Sequence, residues 1–196
     1  QVVSFPSFTT RDRRASVAVT PTQLVIETRQ YEGFDWYVGL VEPALHAVAE
    51  VLGPDAVIAM GHRFIDEVHL PAGDVDLTRW FDPALAAMPN LIGPPPDRWH
   101  AIVSFQTDPE SQLTLRYGLL DAPIVPPLTG RPVLFATPVM GLDCDSRWTP
   151  AVAPEFDPGL VVDRLVNLYA PVRALFNRVC TDALRQRFAS TEGDRP

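Results

Sequence analysis

Histidine, cysteine and carboxylate side chains are the groups in this chain that could support catalysis or bind a metal ion. The chain has four histidines, two cysteines and 24 acidic residues. The sequence contains no G-x-G-x-x-G, G-x-S-x-G, H-E-x-x-H or C-x-x-C motif. The missing motifs favour a non-catalytic role. Enzymatic activity stays open, because catalytic groups can also meet in space without a local motif.

The spacing of the candidate ligands argues against a metal site. His62 and His69 lie on one predicted strand, and because they are seven positions apart their side chains point to opposite faces. Asp74 and Asp76 have a spacing that a divalent cation could use, but they also stand where a short helix must begin. The sequence therefore predicts a helix cap at Asp74 or Asp76, and no metal or other cofactor.

Two carboxylates, Asp143 and Asp145, flank the thiol of Cys144. A reactive thiolate needs positive charge nearby, and negative neighbours shift the thiol pKa in the opposite direction. Cys144 is therefore predicted to be a small apolar filler at a strand end. Cys180 is predicted to be a core or boundary residue of the last helix.

Five polar and aromatic residues are candidates for the wall of a ligand pocket: His62, Arg63, Trp99, His100 and Arg116. An arginine on a strand that faces a pocket could bind a carboxylate or phosphate through two parallel hydrogen bonds. The same arginine could also be a surface or ion-paired residue. No catalytic residue is assigned.

Apolar periodicity predicts the strands that would position these side chains. Alternating apolar residues indicate a hairpin over residues 14–31, a strand over 56–70 and an antiparallel pair over 99–107 and 112–120. A further strand over 132–142 is nearly all apolar, which is typical of a central strand.

Apolar residues three and four positions apart predict two longer helices. The first covers residues 37–52, and Pro43 either kinks it or lies in the first turn of a restarted helix. The second begins at Asp157 and Pro158, a good N-cap and first-turn pair, and Pro171 either bends it or splits it.

These elements predict an α+β fold in the order β-β-α-β-α-β-β-β-α. An antiparallel sheet would be covered on one face by helices, with a long C-terminal helix. Residues 1–188 are predicted to form a single domain, followed by a flexible tail over 189–196. Because the first residues read as a strand already under way, a preceding strand and helix portion is expected to be missing.

The charge balance limits the partners of the chain. All 16 basic residues are arginines, and the formal net charge is −8 with a pI near 4.9. An acidic chain is not expected to bind nucleic acid or an anionic membrane surface, because such binding depends on clustered cations. No apolar run is long enough for a membrane helix. Two cysteines form no disulfide framework, so a reduced, cytoplasmic protein is expected.

Several short segments resemble a sporadically distributed bacterial family of uncharacterised proteins with a Gly-x-Arg-Tyr-Ile-Asn-like strand. The matching segments are residues 14–21, 30–34, 60–68, 70–71, 75–77, 175–176 and 181. Phe64 and Asp66 stand where that family usually has tyrosine and asparagine, so no role is carried over for these two side chains. The resemblance implies no activity, and the patchy distribution suggests genes of defence, antitoxin or immunity systems.

Two hypotheses for function follow. The first is a non-catalytic, acidic interaction module that binds a protein partner. The second is a small-molecule-binding protein or enzyme with a cavity between the sheet and the C-terminal helix, walled by the five candidate residues. The oligomeric state is not indicated by the sequence.

Overall fold

The computed structural model describes residues 6–12, 14–69, 76–86, 98–120 and 139–191. The chain separates into two compact units, residues 1–56 with 155–163 and residues 57–154 with 164–196. Compact units of this kind occur within single domains as well as between domains, so the predicted single domain over residues 1–188 stays a prediction.

The first unit contains a three-stranded antiparallel sheet in the order β1-β2-β3. Its strands are β1 (Ser7–Thr9), β2 (Ala15–Val19) and β3 (Leu24–Thr28). The N–H of Thr20 donates to the carbonyl of Gln23 at 2.8 Å and closes the hairpin between β2 and β3. The predicted hairpin is thereby confirmed. The strand expected over the first residues, 1–5, lies outside the described residues, and β1 follows that segment.

Helix α1 (Phe34–Leu52) follows this sheet as one continuous helix through Pro43. The hydroxyl group of Tyr37 on this helix donates a hydrogen bond to the carbonyl of Ile26 on β3 at 3.3 Å. The helix ends at Gly53, whose φ of 52° lies in the left-handed region that glycine adopts without strain. The N–H of Gly53 bonds to the carbonyls of Val48 and Ala49, which would otherwise be left unsatisfied.

The second unit contains a four-stranded antiparallel sheet in the order β4-β7-β6-β5. Its strands are β4 (Met60–His69), β5 (Trp99–Asp108), β6 (Ser111–Leu120) and β7 (Val139–Trp148). The α+β class and the antiparallel pairing are confirmed, and the strands form two sheets. Strand β7 is central, as predicted. The part of that predicted strand over 132–138 lies outside the described residues.

Strand register divides the side chains of this sheet between two faces. The first, called here the helix-covered face, carries the even-numbered residues of β4 and β7 and the odd-numbered residues of β5 and β6. The second, called here the charged face, carries the odd-numbered residues of β4 and β7 and the even-numbered residues of β5 and β6. The core lies on the helix-covered face, where Leu113, Leu115 and Met140 are among its buried residues.

The remaining elements of the described residues are helices α2 (Pro83–Ala86), α3 (Pro158–Val179) and α4 (Asp182–Thr191) and a short 3₁₀ helix (Leu77–Arg79). The core includes Phe81, Leu85, Val172, Val179 and Leu184 from these helices or the turns beside them. The side chain of Asp76 accepts the Thr78 N–H at 3.0 Å, so the predicted cap is found at Asp76, and Asp74 lies outside the described residues.

The C-terminal helix is confirmed, but it is interrupted after Val179 and not at Pro171. Asp157 accepts the N–H of Leu160 at 2.7 Å and caps α3 as predicted. Helix α3 continues through Pro171 and ends at Val179. Thr181 then donates to the carbonyl of Arg79 at 2.7 Å, and α4 begins directly after it. Residues 192–196 of the predicted tail lie outside the described residues.

Candidate functional site

The five predicted pocket residues are divided between the two faces of the four-stranded sheet. His62 and Trp99 belong to the helix-covered face, whereas Arg63, His100 and Arg116 belong to the charged face. The structure therefore does not bring the five side chains together around one cavity. It does bring the two arginines together.

The His62 ring is part of the packed interior. It is 5% exposed, and its centroid lies 4.6 Å from that of Phe64 and 6.1 Å from that of Tyr169. Burial disfavours the imidazolium and lowers the pKa of His62 from 6.5 to about 4. The ring is therefore neutral at physiological pH. His69, on the charged face, points the other way, as the spacing of the two histidines predicted.

Trp99 has a similar structural environment. Its ring meets the Tyr117 ring edge to face at a centroid distance of 5.4 Å, and it packs against the core. This geometry is typical of aromatic pairs in protein interiors. Trp99 thus supports the sheet at the start of β5.

The charged face contains an ion-pair network centred on two buried carboxylates of β7. Arg63 on β4 donates from Nε and Nη2 to the two oxygens of Asp143, both at 2.7 Å. The Asp143 side chain is only 3% exposed, while Arg63 is 46% exposed. These bonds and the charge of Asp143 hold the pKa of Arg63 above its ordinary value. The geometry is the bidentate pairing that suits a guanidinium and a carboxylate.

Two more arginines extend this network across the sheet. Nη1 of Arg116 on β6 lies 3.4 Å from Asp143 and 3.6 Å from Asp145. Arg147 on β7 approaches Asp145 through Nε and Nη2, each at 3.0 Å. Three guanidiniums thus share two buried carboxylates, and each of the three is partly exposed to solvent. The network orders the arginines and satisfies the charges that β7 carries into the sheet.

Cys144 lies between these carboxylates but on the helix-covered face. The prediction that it is an apolar filler is correct in kind, while its placement at a strand end is wrong because β7 continues to Trp148. Burial raises the pKa of Cys144 to about 12, and burial likewise raises the pKa of Cys180 to about 12. Both thiols are poor nucleophiles in this environment.

Asp66 is a carboxylate on the helix-covered face, close enough to Cys144 and Cys180 to raise the pKa of both thiols. Burial raises its own pKa from 3.8 to about 6. An ionised Asp66 is therefore a cost to the folded chain at neutral pH.

The variant Asp66→Asn is expected to be more stable than wild type at pH 7.5, and the gain in stability should be much smaller at pH 4. The folded chain keeps this carboxyl protonated up to about pH 6, whereas the unfolded chain ionises it near its ordinary pKa of 3.8. The stability that the protonated carboxyl contributes is therefore fully present below pH 3.8, and it is lost as the pH rises from 3.8 through about 6. Two pKa units correspond to about 3 kcal/mol, which Asp66→Asn should recover at pH 7.5.

Urea unfolding of wild type and Asp66→Asn at the two pH values measures this change. The matched control is Asp163→Asn, because Asp163 is exposed on α3. We expect the control to differ little from wild type at either pH. An equal effect of Asp66→Asn at both pH values would contradict the assigned burial cost.

A cavity of about 330 Å³ opens on the helix-covered face where the β5–β6 hairpin meets α3. It lies between the sheet and the C-terminal helix, where the second hypothesis expected one, but none of the five predicted pocket residues lines it. The lining residues are Thr107, Asp108, Ser111, Trp148, Arg164, Asn167, Leu168 and Pro171. The two charged groups among them, Asp108 and Arg164, were not candidates in the sequence.

The outer edge of β5 is a second feature that the sequence did not single out. Strand β5 pairs with β6, and among the described residues no strand pairs with its other side. Ile102 is 61% exposed, Val103 38% and Phe105 43%. Apolar side chains therefore reach solvent on both faces of an edge strand.

Among the described residues, no group of three or more histidine, cysteine, aspartate or glutamate side chains is arranged to bind a metal ion. None of the described helices combines the length and the apolar character needed to cross a membrane. The chain matches no protein-family model, no curated protein and no solved structure. The resemblance to a bacterial family therefore stays a prediction, and function must be argued from the geometry.

Proposed function

We propose that this chain is a non-catalytic interaction module that binds a protein partner by strand addition at β5. The observation that carries this proposal is the outer edge of a ten-residue strand, which no strand of the described residues covers and which has exposed apolar side chains on both faces. An extended segment of another protein could hydrogen-bond to the outward backbone groups of such an edge.

The two edges of the four-stranded sheet differ in how they are protected. Edge strands that must avoid pairing carry charges, prolines or bulges. Strand β4 fits that description, since it contains Arg63, Asp66 and Glu67. Strand β5 contains no charge and no proline from Trp99 to Thr107, and its irregularity is confined to the far end, between Gln106 and Asp108. The contrast favours β5 as the binding edge.

The net charge supports one class of protein partner. The chain has a net charge of −8, so two copies repel each other while a basic protein is attracted. The edge itself is uncharged, so side-chain recognition there is apolar. We therefore propose a basic partner with an extended segment of alternating apolar residues, as in defence, antitoxin or immunity pairs where an acidic protein neutralises its partner.

A lysine placed on the edge tests this proposal. Val103→Lys is expected to weaken partner binding about tenfold or more, because the ammonium group would be desolvated beside the added strand. Affinity capture from a lysate of the source organism, quantified by mass spectrometry, compares wild type with this variant. The matched control is Val152→Lys, which adds the same charge at an 83% exposed valine outside the described strands.

Strand addition also predicts a local change in amide exchange. In the complex, the outward N–H groups of β5 should exchange more slowly, while those of β4 should not change. A partner that binds Val103→Lys as tightly as Val152→Lys would contradict the proposal. A dimer of the chain alone that Val103→Lys dissociates would show that the occupant is a second copy and not a basic partner.

A second candidate function, small-molecule binding, is favoured by one observation. The cavity at the β5–β6 hairpin places groups of opposite charge, Asp108 and Arg164, on the wall of one half-open cavity. Small-molecule sites usually combine an apolar wall with a few polar groups that fix orientation. This candidate is independent of the β5 edge.

A further inference from the structure

We propose that the cavity between the β5–β6 hairpin and α3 binds a free amino acid with an apolar side chain. In this arrangement Arg164 binds the carboxylate of the amino acid and Asp108 binds its ammonium group. The inference rests on the second candidate function, small-molecule binding, and names its ligand class.

The guanidinium of Arg164 is already ordered for this role. Its Cζ lies over the Trp148 ring, 4.7 Å from the ring centroid, so the guanidinium is held against the indole. Trp148 is itself fixed, because its Nε1 donates to the carboxylate of Glu110 at 3.1 Å. A guanidinium held in this way retains N–H donors at its edge, where a carboxylate can bind.

A strand irregularity turns Asp108 toward the same cavity. Even-numbered residues of β5 up to Gln106 belong to the charged face, and the register then shifts so that Asp108 lies opposite Ser111. Ser111 in turn lies opposite Trp148 on the helix-covered face. Bulges of this kind re-aim a side chain and are common beside functional sites.

The Asp108 carboxylate is also held in its charged form. It accepts the backbone N–H of Glu110 at 2.8 Å. A hydrogen bond from the Ser111 side chain, this backbone bond and the charge of Arg164 together lower the pKa of Asp108. An ammonium group is the natural partner for such a carboxylate.

The helix side of the cavity adds one polar residue and an apolar wall. Asn167 lines the cavity together with Pro171 and Leu168. An apolar side chain could pack on Leu168 and Pro171.

The size of the cavity is consistent with a ligand of this class. Its volume of about 330 Å³ lies at the lower end of the range for small-molecule sites. A free amino acid fits that volume with a few waters, whereas a nucleotide cofactor needs a larger site. Opposite charges on one wall favour a zwitterion over a ligand with a single charge.

Isothermal titration calorimetry on the full chain tests the inference. The probes are leucine and methionine as apolar amino acids, glutamate and arginine as charged ones, and acetate and methylamine as single-charge compounds. We expect saturable binding of an apolar amino acid that Arg164→Gln and Asp108→Asn each weaken about tenfold or more. The control is Arg173→Gln, since Arg173 is exposed on α3 and does not line the cavity.

The outcomes separate the inference from the function on which it rests. If acetate or methylamine binds as tightly as the amino acids, and Arg164→Gln or Asp108→Asn weakens that binding, small-molecule binding stands and the amino-acid assignment is overturned. If no probe binds at roughly 10 mM, or if binding is unchanged in both variants, the inference and the second candidate function are both overturned. Far-ultraviolet circular dichroism of each variant excludes loss of folding as the cause of lost binding.

Discussion

Gly118→Ala is expected to destabilise the four-stranded sheet by about 3 kcal/mol, the upper part of the range for overpacking in a protein interior. A Cβ at position 118 would overlap the carbonyl oxygen of Trp99 and lie 2.6 Å from the Cα of His100. Both are backbone atoms of β5, so no side-chain rotation can relieve the contact. Strand β5 would have to move away from β6 at its first residues.

Thermal unfolding followed by circular dichroism measures this loss, which corresponds to a midpoint about 6–12 °C lower for a domain of this size. The matched control is Gly61→Ala on β4 of the same sheet, where the nearest atom to an added Cβ is Cγ of Arg147 at 3.8 Å. We expect the control to change stability by less than about 0.5 kcal/mol. Equal stabilities of the two variants would show that β5 tolerates the displacement.

The elements that local periodicity controls were predicted well from the sequence. The hairpin of β2 and β3, the antiparallel pair of β5 and β6, helix α1 and helix α3 all follow from apolar spacing and from turn or cap residues. Asp76 and Asp157 were correct as caps because capping depends on a side chain and an N–H two or three residues later. Such interactions are readable within a short window of sequence.

The pairing of strands that are far apart in the chain was harder to predict from the sequence. The division of the strands into two sheets depends on which edges meet, and that choice involves residues far apart in the chain. The candidates Arg63 and Arg116 do meet, but only because β7 lies between β4 and β6. Sequence alternation shows that Asp143 and Asp145 share a face, yet it does not show which arginines lie opposite them.

The cavity depends on a feature with no clear signal in the sequence. Simple alternation along β5 assigns Asp108 to the same face as Ser104 and Gln106. The register shift before Asp108 reverses that assignment and turns its carboxylate toward α3. One inserted residue in a strand is enough to exchange the two faces, so an error of this kind follows directly from strand geometry.

Asp143→Asn is expected to reduce the free energy of unfolding by about 3 kcal/mol, the lower end of the range for breaking a buried ion pair. The lower end applies because Arg63 is partly exposed and water can solvate it once the pair is lost. The amide of asparagine can accept only one of the two hydrogen bonds that Arg63 now donates to Asp143. Its NH₂ group would face a guanidinium that is also a donor, leaving buried polar groups unsatisfied.

A double-mutant cycle separates the Arg63–Asp143 pair from its surroundings. Arg63→Met should cost about 2 kcal/mol, less than Asp143→Asn, because Arg116 remains 3.4 Å from the buried carboxylate. The double variant should lose less than the sum of the two single variants, with a coupling of about 1–2 kcal/mol. Arg147→Met is the control, since Arg147 is 68% exposed and Asp145 keeps Arg116 as a partner; its cost should stay below about 1 kcal/mol. Strict additivity of Arg63→Met and Asp143→Asn in urea unfolding would mean that the bidentate contact does not stabilise the sheet, and that the arginines are ordered by the other strands alone.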